Sequence, residues 1–428
     1  MAPVRFGIVG VGGYARSYHT SISKLQKEGL ARLVAVAENN QSAYRDQLAD
    51  MLAQGTRIYD DFSEMLQREK VNLDFVALPI GIHLHATMTI EALKAGCHVI
   101  CEKPVAATVQ EVDRMIALTN KMRAIVIIGY QEIFSPSIRM LKVRIMNGRL
   151  GRVRSAKVKG GWPRSDSYYS RNNWAGKLRL GKNWVLDGIA MNAMAHYINN
   201  MLFLASQEPK ISAIPNEVQA ELYRAHPIES YDTITLRAKT NSGSQIYFVA
   251  THAPENESHP QMSLQCENGE VKWRFEDGAT TIHYEDGSEE HFDNQNSDIR
   301  TEVFRNAIAC VRGKDVPRCT LEMGRSHTLC MNGVHESCPQ IISIPSDQIM
   351  RMDILDEAGK PTGDVKTIIR DVDALMEQAF SESKLFSELN VPWAQRTRAV
   401  SLDDYTRFPS QKWIHQQRHK LTALPHKQ

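Results

Sequence analysis

The chain has 428 residues, a length typical of two or three domains, with 42% hydrophobic and 23% charged residues. This apolar content is enough to offset the entropy lost on folding, so the composition excludes a mainly disordered protein. The formal net charge of +2 gives no overall field that would favour nucleic acid or an anionic membrane as a partner.

Compartment and metal content follow from the cysteines and the apolar segments. An odd number of cysteines, seven, in a long chain is typical of a reduced, intracellular protein. No second pair follows Cys97 and Cys101 at zinc-finger spacing, so no metal site is predicted. No apolar stretch approaches the roughly 20 residues of a membrane helix, and a signal-peptide core is lacking at Met1. We therefore expect a cytoplasmic protein without membrane association.

The first third of the chain alternates between short apolar runs and amphipathic segments. Strands are predicted over residues 4–9, 33–37, 73–78, 98–101 and 125–129, and helices over residues 13–28, 41–51, 83–95 and 109–121. This alternation indicates βαβ units, and nearly continuous apolar strands indicate a parallel sheet covered on both faces.

The pattern changes after residue 132. Longer alternating strands are predicted over residues 152–160, 233–238, 245–252 and 271–275, with helices over residues 140–146, 301–312 and 321–337. Turns such as Asn268-Gly269 between such strands favour a large, mostly antiparallel open sheet. We predict an α/β protein with domains at residues 1–132 and 133–428. The polar tail, residues 345–428, carries one predicted helix at residues 372–389 and no functional pattern.

A glycine-rich turn follows the first predicted strand and opens the first helix. It fits the pattern G-x-G-x-x-A, in which we assign cofactor binding to Gly10, Gly12, Gly13, Tyr14 and Ala15. Such a turn lets the backbone approach a pyrophosphate at the positive end of the helix. The pattern predicts a dinucleotide-binding Rossmann domain; the bland alternative is a glycine-rich turn without a ligand.

Glu38 directly follows the second predicted strand, where a Rossmann domain needs an acceptor for the adenosine ribose. A carboxylate there would repel a 2′-phosphate, so we expect NAD rather than NADP. The alternative is a solvated charge at the end of a strand.

Further motifs in the same register identify a family. Glu102-Lys103-Pro104 follows the fourth strand, Leu78-Pro79 and His83 lie upstream, and Gly129-Tyr130-Gln131-Glu132 lies downstream. With the glycine-rich turn, this order resembles the Gfo/Idh/MocA oxidoreductases, densely over the first 150 residues and more loosely to about residue 337. The resemblance implies cofactor contacts from Pro79, His83, Glu102, Lys103 and Gln131; His83 and His85 could also be rim or structural residues.

The same resemblance implies a second α/β domain whose open sheet often forms an oligomer interface. We therefore expect a homo-oligomer, a dimer or a tetramer. Members mostly oxidise or reduce secondary alcohols of sugars and cyclitols, so the expected partner is a small carbohydrate.

Lys103 is predicted to lie at the carboxyl end of a parallel strand, where ligands bind in such sheets. An ammonium group there can hold the reacting oxygen and stabilise charge that develops on it. Without the resemblance, an ordinary surface lysine would be the better interpretation.

His196 is the predicted general acid and base, on a segment predicted to be helical from Asp187. Many family members carry Asp and His four residues apart here, whereas this chain has Asn192 in place of the Asp. Asn cannot act as a base but can bind substrate or orient His196. Asp187 could reach the site only if the helix begins after it. The alternative for His196 is a buried core histidine.

An unusual aromatic and polar segment, residues 162–177, precedes that helix. It is predicted to form a sugar-binding wall, with substrate contacts from Trp162, Tyr169, Arg171, Asn173 and Trp174 in addition to Lys103, Asn192 and His196. An oligomer contact is an equal alternative, because interfaces favour the same residue types.

The leading hypothesis is thus an NAD-dependent oxidoreductase acting on a sugar, glycoside or cyclitol. Two others stay open: a glycoside hydrolase that uses transient oxidation by bound NAD, and a regulator that senses the cofactor without turnover.

Overall fold

The computed structural model describes residues 1–411, 413 and 414 of the chain. Residue 412 and residues 415–428, which belong to the end of the predicted second domain, lie outside these described residues. The chain forms two compact units. The first unit comprises residues 1–106, 111–139 and 296–325, and the second comprises residues 107–110, 140–295 and the chain from residue 326. The division is therefore not a single cut after residue 132, because a late segment returns to the first unit.

A six-stranded parallel sheet forms the core of the first unit. Its strands lie in the order β3-β2-β1-β4-β5-β6, the order of a dinucleotide-binding doubly wound fold. The bounds are β1 Val4–Val9, β2 Ala31–Ala37, β3 Arg57–Tyr59, β4 Phe75–Leu78, β5 His98–Cys101 and β6 Val126–Ile128. The order in which successive strands are added reverses between β1 and β4. The turn after β1 therefore opens at the crevice where such sheets bind ligands.

Helices connect these strands as the periodicity predicted. They are α1 Ala15–Lys27, α2 Arg45–Ala53, α3 Phe62–Glu69, α4 Ile82–Lys94 and α5 Val109–Met122. A further helix, α6 Pro136–Met146, follows β6 and lies mostly in the second unit. The three residues of β3 and the eight of α3 were not predicted, because segments this short carry little periodic signal.

One helix of the first unit comes from far along the chain. This helix, α9 (Ile299–Val311), packs on α1 through both polar and aromatic contacts. Arg305 forms an ion pair with Glu28 at 2.6 Å, and the Phe304 ring meets the Tyr18 ring edge-on at 5.0 Å between centroids. The first turn of α9 is thereby added to the dinucleotide-binding unit.

The second unit is built on a ten-stranded mixed sheet, ordered β16-β15-β14-β13-β7-β12-β11-β10-β17 with β20 also paired to β10. Most neighbours are antiparallel; β7 with β12 and β10 with β17 are parallel. The bounds are β7 Val153–Gly161, β10 Pro215–Arg224, β11 Thr233–Thr240, β12 Gln245–Thr251, β13 Ser258–Cys266, β14 Gly269–Arg274, β15 Thr280–Tyr284, β16 Glu289–Phe292, β17 Ile342–Ser343 and β20 Val400–Ser401. The predicted α/β fold, a parallel Rossmann sheet plus a large, mostly antiparallel sheet, is confirmed.

Smaller elements complete the chain. Two hairpins pair β8 (Arg179–Leu180) with β9 (Asn183–Trp184) and β18 (Ile349–Leu355) with β19 (Pro361–Ile369), and the remaining helices are α7 Asp166–Ser170, α8 Ala195–Leu204, α10 Leu321–Ser337 and α11 Val372–Glu382.

The tail packs on the sheet of its own chain. Lys159 of β7 forms an ion pair with Glu377 of α11, and the Tyr247 hydroxyl of β12 donates to the Lys384 carbonyl at 2.6 Å. Apolar side chains of α11, including Val372 and Met376, join Tyr247 and Val249 in one buried cluster. The part of the tail around α11 therefore belongs to the core of the second unit.

Two general properties bear on function. The seven cysteines, all within the described residues, are buried free thiols. No helix of the described residues is long and apolar enough to cross a membrane.

Candidate active site

The glycine-rich turn joins β1 to α1 at the point where the strand order of the first sheet reverses. Gly10 and Gly13 adopt φ angles of +91° and +55°, which favour glycine because a Cβ is strained there. Among the described residues, no side chain caps the first turn of α1, and that turn contains no acidic residue. The uncapped N–H groups and the positive helix end suit a phosphate anion.

Glu38 lies beside this turn at the end of β2 and is 7% exposed. Its carboxylate accepts the backbone N–H of Val11 at 2.9 Å and that of Asn40 at 2.8 Å. The carboxylate thus holds the glycine-rich turn against the end of β2. The alternative of a solvated strand-end charge is excluded by this burial.

Tyr44 also lies beside the glycine-rich turn, and the sequence analysis did not predict it as a site residue. A Cβ on Gly12 would stand only 2.0 Å from the Tyr44 hydroxyl oxygen, so that hydroxyl lies directly over the second glycine of the motif. It places a hydrogen-bond donor where the backbone could approach a pyrophosphate. The uncapped helix, the buried carboxylate and this hydroxyl together fit a dinucleotide.

Lys103 lies at the carboxyl end of β5, as predicted, and is half-buried. Its backbone N–H donates to the Glu102 carboxylate at 3.0 Å. The other carboxylate oxygen of Glu102 accepts the Tyr18 hydroxyl at 2.8 Å, and burial raises the pKa of this carboxyl group. A Cβ on Gly129 would stand 2.6 Å from Glu102, so glycine at that position makes room for the carboxylate. Glu102 is therefore placed to hold the loop that presents Lys103.

His85 joins the loops that follow β4 and β5. Its Nδ1 lies 2.6 Å from the Pro104 carbonyl and its Nε2 lies 3.1 Å from the Ile80 carbonyl. Burial lowers the pKa of His85 to about 4, so the ring is neutral and donates to one of these carbonyls. The structure thus gives His85 a structural place, whereas Pro79, His83 and Gln131 are half-buried at the same end of the sheet.

Glu132 and Arg300 also belong to this region. Glu132 lies in the downstream motif but was given no role there, and Arg300 was not predicted. Glu132 is 2% exposed and one of its oxygens is buried without a hydrogen-bond partner in the described residues. Burial raises its pKa to about 7, opposed by the positive charge of Arg300 from the first turn of α9. Arg300 also interacts with Tyr14 and Glu102. No local pattern could reveal this, since Arg300 lies more than 150 residues from each partner.

The raised pKa of Glu132 predicts a stability effect. The raised pKa means that the folded state binds the Glu132 proton more tightly than the unfolded state does. The protonated carboxyl group therefore makes its full contribution to the free energy of unfolding below pH 4.5, and this contribution is lost as the pH rises through about 7. The shift from 4.5 corresponds to about 3 kcal/mol at alkaline pH. Glu132→Gln should therefore raise the thermal midpoint at pH 8 more than at pH 5, measured by circular dichroism without cofactor. Glu64→Gln, an exposed control on α3, should not; an equal effect of Glu132→Gln at both pH values contradicts the assignment.

In the second unit, His196 is the second residue of α8 and is 6% exposed. The predicted helix from Asp187 is wrong, because α8 begins at Ala195 and residues 187–194 form tight turns. The Tyr231 ring lies 2.4 Å from where a Cβ of Gly188 would stand, so these turns wrap closely around that ring. The four-residue spacing of Asn192 and His196 is therefore not one turn of a helix.

These turns bring Asp187 to Asn192. The Asn192 side-chain amide donates to Asp187 Oδ1 at 2.8 Å, and the Gly176 N–H donates to Asp187 Oδ2 at 2.7 Å. The condition that the helix begins after Asp187 is met, and a buried carboxylate stands behind the asparagine that replaces the expected acid. Asp187 also links these turns to the aromatic segment through Gly176.

The predicted sugar-binding wall is partly helical, because α7 occupies residues 166–170. Trp162 packs edge-on against Tyr197, the neighbour of His196, at 6.0 Å, and its indole N–H donates to His259 at 3.1 Å. The Tyr169 hydroxyl lies 2.9 Å from His252 Nδ1. Trp162 and Tyr169 are thus anchored, whereas Arg171 and Asn173 are exposed and Trp174 is half-buried on the following turn.

Comparison with known proteins identifies both parts of the chain. A family model described as "Oxidoreductase family, NAD-binding Rossmann fold" matches residues 4–130, and a model described as "GFO/IDH/MocA C-terminal domain" matches residues 138–272. These matches confirm the predicted NAD-binding Rossmann domain and extend the likeness well beyond it.

Relatives of known name match about a third of this chain. Myo-inositol 2-dehydrogenase of Thermotoga maritima is 28% identical over 155 residues, 36% of this chain and 44% of that protein. D-glucoside 3-dehydrogenase of Escherichia coli is 30% identical over 152 residues, 36% of this chain and 42% of that protein. The chain thus spans less than half the length of these relatives.

Among solved structures, the WlbA dehydrogenase of Bordetella pertussis, in complex with NADH and UDP-GlcNAcA, superimposes with a TM-score of 0.65. The match covers 79% of this chain and 97% of that one at 23% identity, which establishes a common fold.

Proposed function

Because the chain belongs to the Gfo/Idh/MocA oxidoreductase family, we propose that it is an NAD-dependent dehydrogenase acting on a secondary alcohol of a sugar, glycoside or cyclitol. The observation that carries the proposal is one sheet edge that bears both a dinucleotide cradle and a lysine. The cradle is the turn held by Glu38 after β1, and Lys103 follows β5 on a loop held by Glu102. Two relatives are named as dehydrogenases of myo-inositol and of D-glucosides, and these names support a polyhydroxylated substrate.

The reaction converts a secondary alcohol and NAD⁺ into a ketone, NADH and a proton. Bound NAD⁺ supplies the hydride acceptor. The Lys103 ammonium donates to the reacting oxygen and stabilises negative charge on it as its proton leaves. Trp162, Tyr169, Arg171, Asn173 and Trp174 contact the sugar.

The His196 imidazole accepts the alcohol proton. Asn192 donates to or accepts from the substrate, held in place by Asp187. Asp187 thereby acts as a positioning residue behind the asparagine.

The test is the near-ultraviolet absorbance of NADH while the purified chain meets NAD⁺ and a panel of sugars, cyclitols and glycosides. We expect absorbance to rise with at least one of them. Glycoside consumption without net NADH would instead support a hydrolase that oxidises its substrate transiently. If NAD binds but neither NADH formation nor glycoside consumption occurs, the result would support a cofactor sensor.

Glu38 provides a separate prediction for the cofactor. Glu38→Ala removes the acceptor of the Val11 N–H as well as the proposed acceptor of the ribose hydroxyls. A hydrogen bond to a charged group contributes about 1.5–3 kcal/mol, so NADH affinity should fall roughly 10- to 100-fold. Fluorescence titration of NADH measures it, with the exposed Glu64→Ala as control.

The same variant tests cofactor choice. Loss of the carboxylate should narrow the preference for NADH over NADPH, because its repulsion of a 2′-phosphate disappears. Unchanged NADH affinity in Glu38→Ala would contradict the ribose assignment.

We further propose that the chain forms a homo-oligomer, a dimer or a tetramer. Light scattering on the purified protein measures its mass directly, and a monomer would contradict this proposal.

A further inference from the structure

Two guanidinium groups flank one tyrosine ring in the second unit. The Arg171 Cζ lies 3.7 Å from the centroid of the Tyr168 ring, and the Arg164 Cζ lies 4.8 Å from the same centroid. Arg164 follows β7, whereas Arg171 follows the short helix α7 that carries Tyr168. Stacking on a common ring fixes both planar groups in orientation, which lowers the entropy lost when they bind a ligand.

Neither guanidinium forms an ion pair within the described part of the chain. Arg171 donates to the Tyr168 carbonyl and Arg164 donates to the Pro163 carbonyl at 3.2 Å. The Arg164 Nε is buried and has no hydrogen-bond partner among the described residues. Since a guanidinium has five N–H donors, most of those in this pair face no anion of the protein.

The nearby carboxylates are engaged elsewhere. Asp166 forms an ion pair with Arg351, and Asp232 forms one with His226 at 2.7 Å, both side chains of that pair being fully buried. Asp187 accepts from Gly176 and Asn192. Asp166 and Asp232 are therefore paired with other side chains, and neither forms an ion pair with Arg164 or Arg171 in the described part of the chain.

His252 adds to this environment. It is 2% exposed, its Nδ1 meets the Tyr169 hydroxyl, and its Nε2 is buried without a partner in the described chain. Burial, together with the charges of Arg164, His226 and Arg171, lowers its pKa well below the ordinary value. The ring is therefore neutral and adds no positive charge beside the arginines.

We propose that Arg164 and Arg171 bind an anionic group of the substrate, a carboxylate or a phosphate, which makes the substrate a sugar acid or a sugar phosphate. Planar guanidinium groups match both anions with paired, charge-assisted hydrogen bonds. Arg171 is exposed and Arg164 half-buried, so a ligand can reach them. The inference rests on the proposed dehydrogenase function and specifies its substrate class.

The test compares a hexose, the matching uronic acid and the matching hexose phosphate. Binding to the full chain with NADH present is measured by calorimetry, and kcat/KM with NAD⁺ is measured for each compound. We expect at least one acidic compound to bind at least tenfold more tightly than the neutral hexose. Preference for the uronic acid or for the phosphate decides which anion the site accepts.

The variants isolate the two arginines. Arg164→Gln should weaken binding of the acidic compound about 10- to 100-fold, the range for a hydrogen bond to a charged group, with little change for the hexose. Arg171→Gln should weaken binding of the acidic compound by a similar factor and binding of the hexose by a smaller one, because the hexose loses only a neutral contact with Arg171. Arg179→Gln is the matched control, because Arg179 stacks on Trp184 at 3.8 Å in the same unit. Arg171→Lys retains the charge and should retain part of the affinity.

Equal binding of acidic and neutral compounds, or unchanged acid binding in a folded Arg171→Gln, would overturn the anion site. The two proposals can fail separately. Oxidation of a neutral sugar without acid preference removes only the anion site. Arginine-dependent acid binding without oxidation of any compound retains the anion site and contradicts the dehydrogenase.

Discussion

Replacing Lys103 by alanine is expected to lower kcat about 10²- to 10³-fold, the usual cost of removing one donor that stabilises a developing oxyanion. The effect should fall on kcat more than on the affinity for NADH, because the dinucleotide cradle around Gly10 and Glu38 involves other elements of the sheet. Stopped-flow measurement of NADH formation separates the chemical step from product release.

Two further variants sharpen the Lys103 test. Lys103→Arg keeps a positive charge in a different shape and should recover only a small part of kcat, since the point-like ammonium is replaced by a planar fork. Lys94→Ala removes an exposed lysine in the last turn of α4 and should leave kcat unchanged. A Lys103→Ala enzyme with normal turnover would remove Lys103 from the mechanism.

Replacing His196 by alanine is expected to lower kcat about 10²- to 10⁴-fold, the range for loss of a general acid–base group. The alcohol would then lose its proton to water, so the rise of kcat with pH that a protein base produces should disappear. NADH affinity, measured by fluorescence, should stay within about twofold if the role is confined to proton transfer.

The burial of His196 requires a control for folding. Because the residue lies in the first turn of a fully buried helix, a cavity alone could disturb the unit. His196→Gln fills more of that space and should show the same loss of kcat with a smaller change in thermal midpoint. His283→Ala, at an exposed position on β15, serves as the surface control. Collapse of cofactor binding in His196→Gln would identify His196 as structural.

The first unit was largely predictable from local sequence. The turn at Gly10 and the carboxylate at Glu38 both lie within the first 40 residues. The βαβ periodicity begins there and continues through the rest of the predicted parallel sheet. Parallel strands covered on both faces are continuously apolar, and a phosphate-binding turn needs glycines at set spacings, so both features are visible in one dimension. The burial of Glu38 was not visible, because it depends on Val11 and Asn40 closing around it.

The second unit was predictable in class but not in its site. A helix was expected from Asp187 because the segment is mostly apolar. The structure instead turns tightly around Tyr231 and starts α8 at Ala195. Tertiary packing overrides helix propensity in such a short segment. The contact between Asp187 and Asn192 follows from that turn and could not be inferred from their spacing.

By itself the sequence determined the parallel dinucleotide-binding sheet and the family, because local periodicity and motifs of fixed spacing encode them. The resemblance to that family, rather than local pattern, supplied Lys103 and His196 as candidate residues. Only the tertiary structure decided which distant residues meet. It brought Arg300 to Tyr14 and Glu102, and Arg305 to Glu28. These contacts depend on chain segments that pack through long-range burial, and burial leaves no pattern at any single position of the sequence.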